Sequence, residues 1–409
     1  MIRFALIVAS TLGFVLTAAL GNLMTPLLRA FRVRQEENEP PTMGGLCLMV
    51  GTLAAVGVGW TAACVAQPEL LGTESLLTTR LLIALFGALC FGAVGLADDL
   101  VRLRHRSPLG LRRPVRLALE AASGALVLAL LGLNHCLPDG LAVPGVGYCT
   151  LGPLAPVVWL AILVALAESA RTADGMDGTV CGCAFIAMLG LMTAMTLLGW
   201  FPLGVLPAAL AGALMAFLLW NFYPAKLRPG AVGCQFLAGA LGCVPLSVGW
   251  PGLTLPLALP YWLEGGMVAL QIIVWKASGG RRQLFGTAPL HRWLEKRGFD
   301  PVNIFYIFGV LAMLGLALTL QAARALAAGA HQLAGDAGSH HRVRTYHAVQ
   351  CQLHHGLPAD GRQLLLHQVA GVLPGSGSRG HAALLPHRPP LSAQDGRAGL
   401  CRLHRDAHR

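Results

Sequence analysis

Two adjacent carboxylates close a long apolar run and are followed at once by basic residues. Asp98 and Asp99 come directly after the run 81–97. Charged side chains at the edge of a membrane are costly, so a pair of acids there indicates a functional site. The basic residues that follow are Arg102, Arg104, His105, Arg106, Arg112, Arg113 and Arg116. Carboxylates suit Mg²⁺ and guanidinium groups suit phosphate, so the sequence predicts a site for both. The alternative is a solvated helix end with an intrahelical Asp–Arg pair.

A second acidic cluster reads Asp174-Gly175-Met176-Asp177-Gly178. Its two carboxylates are three residues apart, which places them on one face if the segment is helical, and the glycines leave the backbone open to a ligand. Such a cluster suits a sugar, a nucleoside or a metal. Turns rich in Asp and Gly are also common without any function.

Three further clusters carry polar or basic groups. Thr42 lies in a Pro-Pro-Thr-Met-Gly-Gly turn, which by itself is more typical of a helix entry than of a binding site. Asn221 and Lys226 precede a glycine-rich turn whose backbone amides suit phosphate. His291 lies in a basic amphipathic stretch, which is also typical of an interfacial anchor helix.

The composition indicates a polytopic, all-α integral membrane protein. Of 409 residues, 55% are hydrophobic and 12% are charged, and that charged fraction is about half the value for a soluble protein. Long uncharged runs between short loops favour spanning helices over a barrel. The net charge of +11 is explained by topology and anionic lipid. We therefore expect membrane lipid as a partner and no nucleic acid.

The apolar runs predict about ten membrane spans. They cover roughly residues 4–28, 44–66, 80–97, 115–134, 154–167, 179–199, 202–220, 233–249, 254–275 and 302–325. The loops after the odd-numbered spans, with their flanks, hold 18 Lys and Arg, whereas those after the even-numbered spans hold only Arg80. The positive-inside rule then predicts a multi-pass protein of the cytoplasmic (inner) membrane with its N-terminus outside. All five polar clusters would share the cytoplasmic face and build one active site there.

The segment 326–409 differs in kind from the membrane domain 1–325. It holds 11 of the 14 histidines and nine arginines, and it lacks Lys, Glu, Ile, Phe, Trp, Met and Asn. Without apolar periodicity, this composition predicts a disordered tail. The mixture also resembles GC-rich DNA read in the wrong frame, so we hypothesise that the natural frame is lost near residue 325.

The order of the clusters resembles that of a known superfamily. The motifs are PTMGG, then GxxDD with a basic residue three positions on, then DGxDG, then NxxPAK with GxVG, then PLHxxxE. This order is similar to that of the polyprenyl-phosphate N-acetylhexosamine-1-phosphate transferases. It is most similar to the phospho-N-acetylmuramoyl-pentapeptide transferases of bacterial peptidoglycan synthesis, and the similarity covers about residues 20–325.

This resemblance implies a Mg²⁺-dependent transferase with ten membrane helices and a cytoplasmic active site. The reaction would transfer phospho-N-acetylmuramoyl-pentapeptide from its UDP carrier to polyprenyl (undecaprenyl) phosphate, giving lipid I and UMP. The partners implied are those two substrates and, in a homodimer, a second copy of the chain.

The resemblance also implies roles for residues that match the motifs. Asp98 would be the base or a phosphate-positioning acid, Asp99 would lie beside the Mg²⁺, and His291 would complete the catalytic set. The implied substrate-binding residues are Asp174, Asp177, Arg116, Asn221, Lys226 and Thr42.

The chain departs from the family pattern at several of these positions. Ala231 stands where the resemblance implies a Mg²⁺-binding aspartate, so we expect weaker Mg²⁺ binding unless Glu168 replaces it. Glu168 and Arg171 stand where the family has asparagines, and Arg102 and Arg116 replace lysines. Two alternatives follow: a catalytically impaired or inactive member that binds lipid phosphate or nucleotide-sugar, and a transferase for another UDP-N-acetylhexosamine.

Overall fold

The fold is a bundle of helices, as the composition predicts. The computed structural model describes residues 2–30, 40–71, 76–105, 110–143 and 147–336. The helices are α1 (Ile2–Ala30), α2 (Gly45–Ala66), α3 (Leu76–His105), α4 (Arg113–Leu133), α5 (Ala155–Thr172), α6 (Thr179–Leu197), α7 (Val205–Asn221), α8 (Gly230–Val248), α9 (Thr254–Leu257), α10 (Leu259–Ala277), α11 (Leu290–Lys296) and α12 (Pro301–Asp336).

The membrane spans agree with the predicted number. In the described part of the chain, nine helices are long and apolar enough to cross a membrane. A tenth span results if α9 and α10, which meet at a bend of 80°, are counted together. Helices satisfy their own backbone hydrogen bonds, which lipid cannot do, so apolar runs of this length fold in this way.

Helix α8 is the centre of the bundle, and all of its residues are buried. Helices α2, α3, α5 and α6 pack around it. Helix α3 approaches most closely, because a Cβ at Gly95 would collide with the backbone carbonyl of Ala231. Asp98 and Asp99 follow Gly95 by about one helical turn, so this contact places them at the start of α8.

The outer helices present apolar side chains outward, as lipid requires. Leu23 of α1, Leu133 of α4 and Val310 of α12 are all more than 60% exposed. Apolar side chains gain little by leaving lipid, so close packing rather than hydrophobicity joins such helices. Small residues provide this packing between α1 and α7, where a Cβ at Gly212 would collide with the backbone of Ser10.

Two details differ from the sequence prediction. Helix α3 continues to His105, so Asp98 and Asp99 lie inside a helix rather than at its end. Helix α12 continues to Asp336, eleven residues into the segment that we assigned to the tail. The remainder of that tail lies outside the described residues, and the division at residue 325 stays a prediction.

The described strands form one small hairpin, a minor addition to the all-α fold. Strands β1 (Gly140–Val143) and β2 (Gly147–Thr150) pair antiparallel, with Leu141 opposite Cys149. The hairpin lies in the connection between α4 and α5, away from the predicted site residues in sequence.

Candidate active site

Asp98 is fully buried and joined to two arginines. Its Oδ2 accepts hydrogen bonds from Nη2 of Arg102 at 2.8 Å and Nη2 of Arg171 at 3.1 Å. Its Oδ1 accepts from the backbone amide of Leu111 at 2.7 Å. A side chain at Gly110 would collide with this carboxylate, so the loop after α3 closes over it. The acid that we predicted as a base or phosphate-positioning group is therefore an ion-pair partner of two guanidinium groups.

Asp99 connects α3 to the N-terminus of α8. Its Oδ2 accepts a hydrogen bond from the backbone amide of Val232 at 3.0 Å, in the first turn of α8. A carboxylate is favoured there by the free amides and the helix dipole. Gly230 begins the helix with φ +70°, and a Cβ there would also crowd Asp99. The other oxygen, Oδ1, is buried with no hydrogen-bond donor in the described part of the chain and lies 4.0 Å from Nη1 of Arg102.

Asp174 lies half-buried beside the first turn of α8 and outside the spanning helices. The pKa of this carboxyl is raised to about 7, because loss of hydration and the nearby charge of Asp99 outweigh the lowering by Arg228 and by a hydrogen bond from the Cys234 thiol. Asp174 and Asp99 are thus two acids close enough to repel each other, an arrangement that a bound cation would relieve.

Asp177 holds the loop between α7 and α8. Its Oδ1 accepts from Nε of Arg228 at 3.2 Å and its Oδ2 from the backbone amide of Ala225 at 3.0 Å. Asn221 supports the same loop, because its Nδ2 donates to the carbonyl of Leu227 at 3.1 Å. The two predicted substrate-binding residues therefore shape this loop through their own side chains.

Arg116 is buried and paired with Glu168. Its Nε and Nη2 donate to the two carboxylate oxygens of Glu168 at 2.8 and 3.1 Å, and Glu120 lies 3.7 Å away. This two-pronged geometry is the strongest form of an Arg–carboxylate pair. Glu168, considered above as a replacement Mg²⁺ ligand, is therefore engaged by Arg116. Both residues were departures from the family pattern, and the structure shows them as partners of each other.

His291 is buried and joined to Glu264 of α10. Its backbone amide donates to Oε1 of Glu264 at 3.0 Å, and its Nδ1 lies 3.2 Å from both carboxylate oxygens. The opposite ring nitrogen, Nε2, faces Gly175, where any Cβ would collide with the ring. The glycine therefore lets the Asp174–Asp177 loop lie directly against His291.

The remaining predicted residues lie at the edge of the site. The Thr42 turn packs on the loop before α8, since the amide of Gly44 donates to the carbonyl of Arg228 at 2.9 Å, and Thr42 itself is half-buried. Lys226 is exposed, and its side chain makes no ion pair within the described residues.

The five clusters therefore meet, but the sequence did not reveal how they are paired. Arg171 was noted only as a departure from the family pattern. The sequence did contain one indication of this pairing: Glu168 and Arg171 are three residues apart and so lie on one face of α5. On that face, Glu168 pairs with Arg116. Arg171 pairs with Asp98.

The residues present fit a Mg²⁺ that the substrate helps to hold. Asp99 Oδ1 is an unsatisfied buried oxygen, and Asp174 lies near it. In phosphoryl-transfer sites Mg²⁺ is held by one or two carboxylates together with substrate phosphates. Within the described ranges, no group of three or more His, Cys, Asp or Glu is placed to hold a metal alone.

Comparison with known proteins identifies the family of the chain. The model of a family described as glycosyl transferase family 4 matches residues 81–249, from α3 to the end of α8. A phospho-N-acetylmuramoyl-pentapeptide-transferase from Levilactobacillus brevis is 31% identical over 314 residues, covering 72% of this chain and 91% of that protein. Proteins of the same name from Lactiplantibacillus plantarum and from Clostridium botulinum strain Alaska E43 are 28% and 26% identical, each covering 75% of this chain and 95% and 93% of their own lengths.

The matched segment is also the part of the chain that supplies the central helix α8 and the acids around its first turn. The similarity to the Levilactobacillus protein extends over nearly all of that protein's length. On this similarity, and with an all-α membrane fold in which the five motif loops converge, the chain belongs to the family of phospho-N-acetylmuramoyl-pentapeptide transferases.

Proposed function

We propose that this chain transfers phospho-N-acetylmuramoyl-pentapeptide from UDP to undecaprenyl or another polyprenyl phosphate, giving lipid I and UMP. The observation that carries the proposal is the position of Asp99 at the first turn of α8, where it accepts from the Val232 amide and lies 4.0 Å from Arg102. Asp174 lies near the same turn. Acids that hold a cation and guanidinium groups that hold phosphate are what a reaction between two phosphorylated substrates needs. The names of the relatives supply the choice of sugar.

The reaction exchanges one phosphoanhydride bond for another. An oxygen of the polyprenyl phosphate attacks the β-phosphorus of the UDP-sugar, the new P–O bond forms, and the bond to the bridging oxygen breaks. UMP leaves with that oxygen and its electron pair. Because negative charge accumulates on the phosphoryl oxygens, stabilising that charge and aligning the two substrates account for most of the catalysis in such reactions.

The geometry suggests how the residues divide this work. Asp99 and Asp174 would hold Mg²⁺, which supplies charge neutralisation at the diphosphate. His291, fixed by Glu264, would present Nε2 toward the Asp174 loop. Exposed Lys226 is available to a substrate, and Asp177 would keep its loop in place.

The predicted orientation stays part of the proposal. A site served by a UDP-sugar has to face the cytoplasm, which agrees with the basic loops and places the N-terminus outside. Labelling of a cysteine introduced at Lys226 by a membrane-impermeant reagent, in intact cells and in inverted vesicles, tests it. Because Cys149 is an exposed native cysteine, each signal is compared with that of the parent chain. We expect labelling above the parent level in inverted vesicles only, and such labelling in intact cells would contradict this orientation. The homodimer stays a prediction.

UMP release tests the reaction. The purified chain is given UDP-N-acetylmuramoyl-pentapeptide, undecaprenyl phosphate and Mg²⁺, with Asp99→Asn and Ala231→Asp variants alongside. We expect turnover that EDTA abolishes and that Asp99→Asn lowers by at least about 100-fold, since a charge that stabilises the transition state is lost. An asparagine at position 99 can still accept the hydrogen bond from the Val232 amide, so the unfolding temperature of the Asp99→Asn variant serves as the folding control.

The Ala231→Asp variant tests the departure from the family pattern. We expect it to bind Mg²⁺ more tightly and to turn over at least as fast, because it adds a carboxylate to the first turn of α8. Turnover with UDP-N-acetylglucosamine in place of the muramoyl donor would instead establish a different sugar. Absence of UMP release by both the parent chain and Ala231→Asp, with either donor, would contradict the proposed function.

A further inference from the structure

Arg171 was not expected to bind a substrate, yet it lies at the centre of the site. It is in the last turn of α5, and its Nη2 donates to Asp98 Oδ2 at 3.1 Å. Arg102 of α3 donates to the same oxygen at 2.8 Å. Two guanidinium groups from different helices therefore converge on a single carboxylate oxygen.

Both arginines retain donors that the protein does not use. A guanidinium group has five N–H donors. The Nε of Arg102 and the Nε of Arg171 are each buried without an acceptor among the residues that the structure describes. The side chains are nevertheless 22% and 23% exposed, so a ligand can reach them. Buried donors without acceptors are rare and destabilising, which indicates that an acceptor is missing from the arrangement.

The charge of this group favours an anion as that acceptor. Arg102 and Arg171 share Asp98, so these three side chains together carry one net positive charge. Asp99, which lies 4.0 Å from Nη1 of Arg102, offsets that charge except when it holds the Mg²⁺ of the proposed function. Both carboxylate oxygens of Asp98 are already engaged within the protein, since Arg102 and Arg171 donate to Oδ2 and the amide of Leu111 donates to Oδ1. A planar guanidinium can bind a carboxylate with one edge and a phosphoryl oxygen with another, which an asparagine cannot do.

We propose that Arg171 and Arg102 together bind a phosphoryl group of a substrate, and that Asp98 is a positioning residue that holds both guanidinium groups. The proposal rests on the proposed function, in which both substrates are phosphorylated. The phosphoryl group belongs either to the UDP-sugar or to the polyprenyl phosphate, and the chemistry of recognition is the same for both.

Binding measurements on the full chain in detergent test the assignment. The probes are UDP, uridine and farnesyl phosphate, each measured with the parent chain and with Arg171→Gln, Arg171→Lys and Asp98→Asn. Arg113→Gln is the matched control, because Arg113 is an exposed arginine near the start of α4. The unfolding temperature of each variant is measured in parallel.

We expect Arg171→Gln to weaken the binding of either UDP or farnesyl phosphate by about tenfold or more, because one charged hydrogen bond is lost. The probe that weakens identifies the source of the phosphoryl group. Uridine affinity and the unfolding temperature should stay near the parent values, as they should in Arg113→Gln. Arg171→Lys should restore part of the affinity, and Asp98→Asn should weaken the same probe because the guanidinium groups lose their support.

Equal affinity of Arg171→Gln and the parent chain for both phosphorylated probes would overturn the proposal. A parallel loss of uridine binding would also overturn it, since that pattern describes a structural role. Either result leaves UMP release by the parent chain intact and so spares the proposed function. Absence of UDP and farnesyl phosphate binding by the parent chain, together with absence of UMP release, would overturn both.

Discussion

Arg116 and Glu168 make two hydrogen bonds to each other, at 2.8 and 3.1 Å, although they are 52 residues apart in the sequence. Arg116 is only 7% exposed, so it could not lose its partner without leaving a buried charge. Such pairs are costly to break from one side, whereas removal of both partners is tolerated far better. The two substitutions relative to the family pattern are therefore best explained as a single coupled change.

A double-mutant cycle tests this coupling. We expect Glu168→Asn alone to destabilise the chain by about 2 kcal/mol, the loss of charged hydrogen bonds to a buried guanidinium. Arg116→Lys alone should destabilise it less, since the charge is retained. The double variant should be more stable than the sum of the single effects predicts. Denaturant unfolding in detergent measures all four proteins, and strictly additive effects would show that the pair is not coupled.

At the scale of helices, the contact between α3 and α8 determines where the acids lie. Gly95 lets the backbone of α3 reach the carbonyl of Ala231 one turn before Asp98. A glycine in a helix normally lowers stability by about 1 kcal/mol relative to alanine. Here that cost is offset by a closer approach that joins Asp99 to the first turn of α8.

Two glycine substitutions should therefore have opposite signs. Gly95→Ala should destabilise the chain by about 1–3 kcal/mol, the usual range for overpacking, and lower turnover because Asp99 is displaced. Gly309→Ala in α12 is the matched control, since nothing lies within 4 Å of its Cβ. It should be neutral or stabilising by up to about 1 kcal/mol. Unfolding curves of both variants measure these changes in stability. A more stable Gly95→Ala variant would contradict the close contact between Gly95 and the carbonyl of Ala231.

At the scale of the whole molecule, the bundle extends to the last described helix. Helix α12 packs against α6 and α9, and Thr319 and Ala323 in its second half are fully buried. The boundary at residue 325 was taken from the change in composition alone. Because burial continues to Ala323 and the helix to Asp336, the stable unit includes nearly all of the last predicted span.

Truncation measures this boundary. A chain of residues 1–336 should match the full chain in unfolding temperature and UMP release. A chain of residues 1–318 lacks Thr319 and Ala323, and we expect its unfolding temperature to fall by about 5 °C or more. Loss of turnover in the 1–336 chain would instead show that the His- and Arg-rich segment contributes to function.

The sequence by itself determined the helical membrane fold and predicted the candidate residues of the site. Apolar runs of spanning length can fold only as helices in lipid, so the number and order of the spans follow from local composition. The positions of Asp98, Asp99, Asp174, Asp177 and His291 followed from acidic, basic and glycine-rich motifs between those runs. These features are local in the chain, and local patterns are what a sequence shows directly.

Only the tertiary structure decided how those residues are paired. Asp98 meets Arg171 across 73 positions, and Asp99 meets the amide of Val232 across 133. Side-chain partners at such distances depend on helix rotation and on the close approach at Gly95, which no local pattern specifies. For this reason the sequence predicted Asp98 as a base or a phosphate-positioning acid but not its partners, Arg102 and Arg171, and that role stays a prediction.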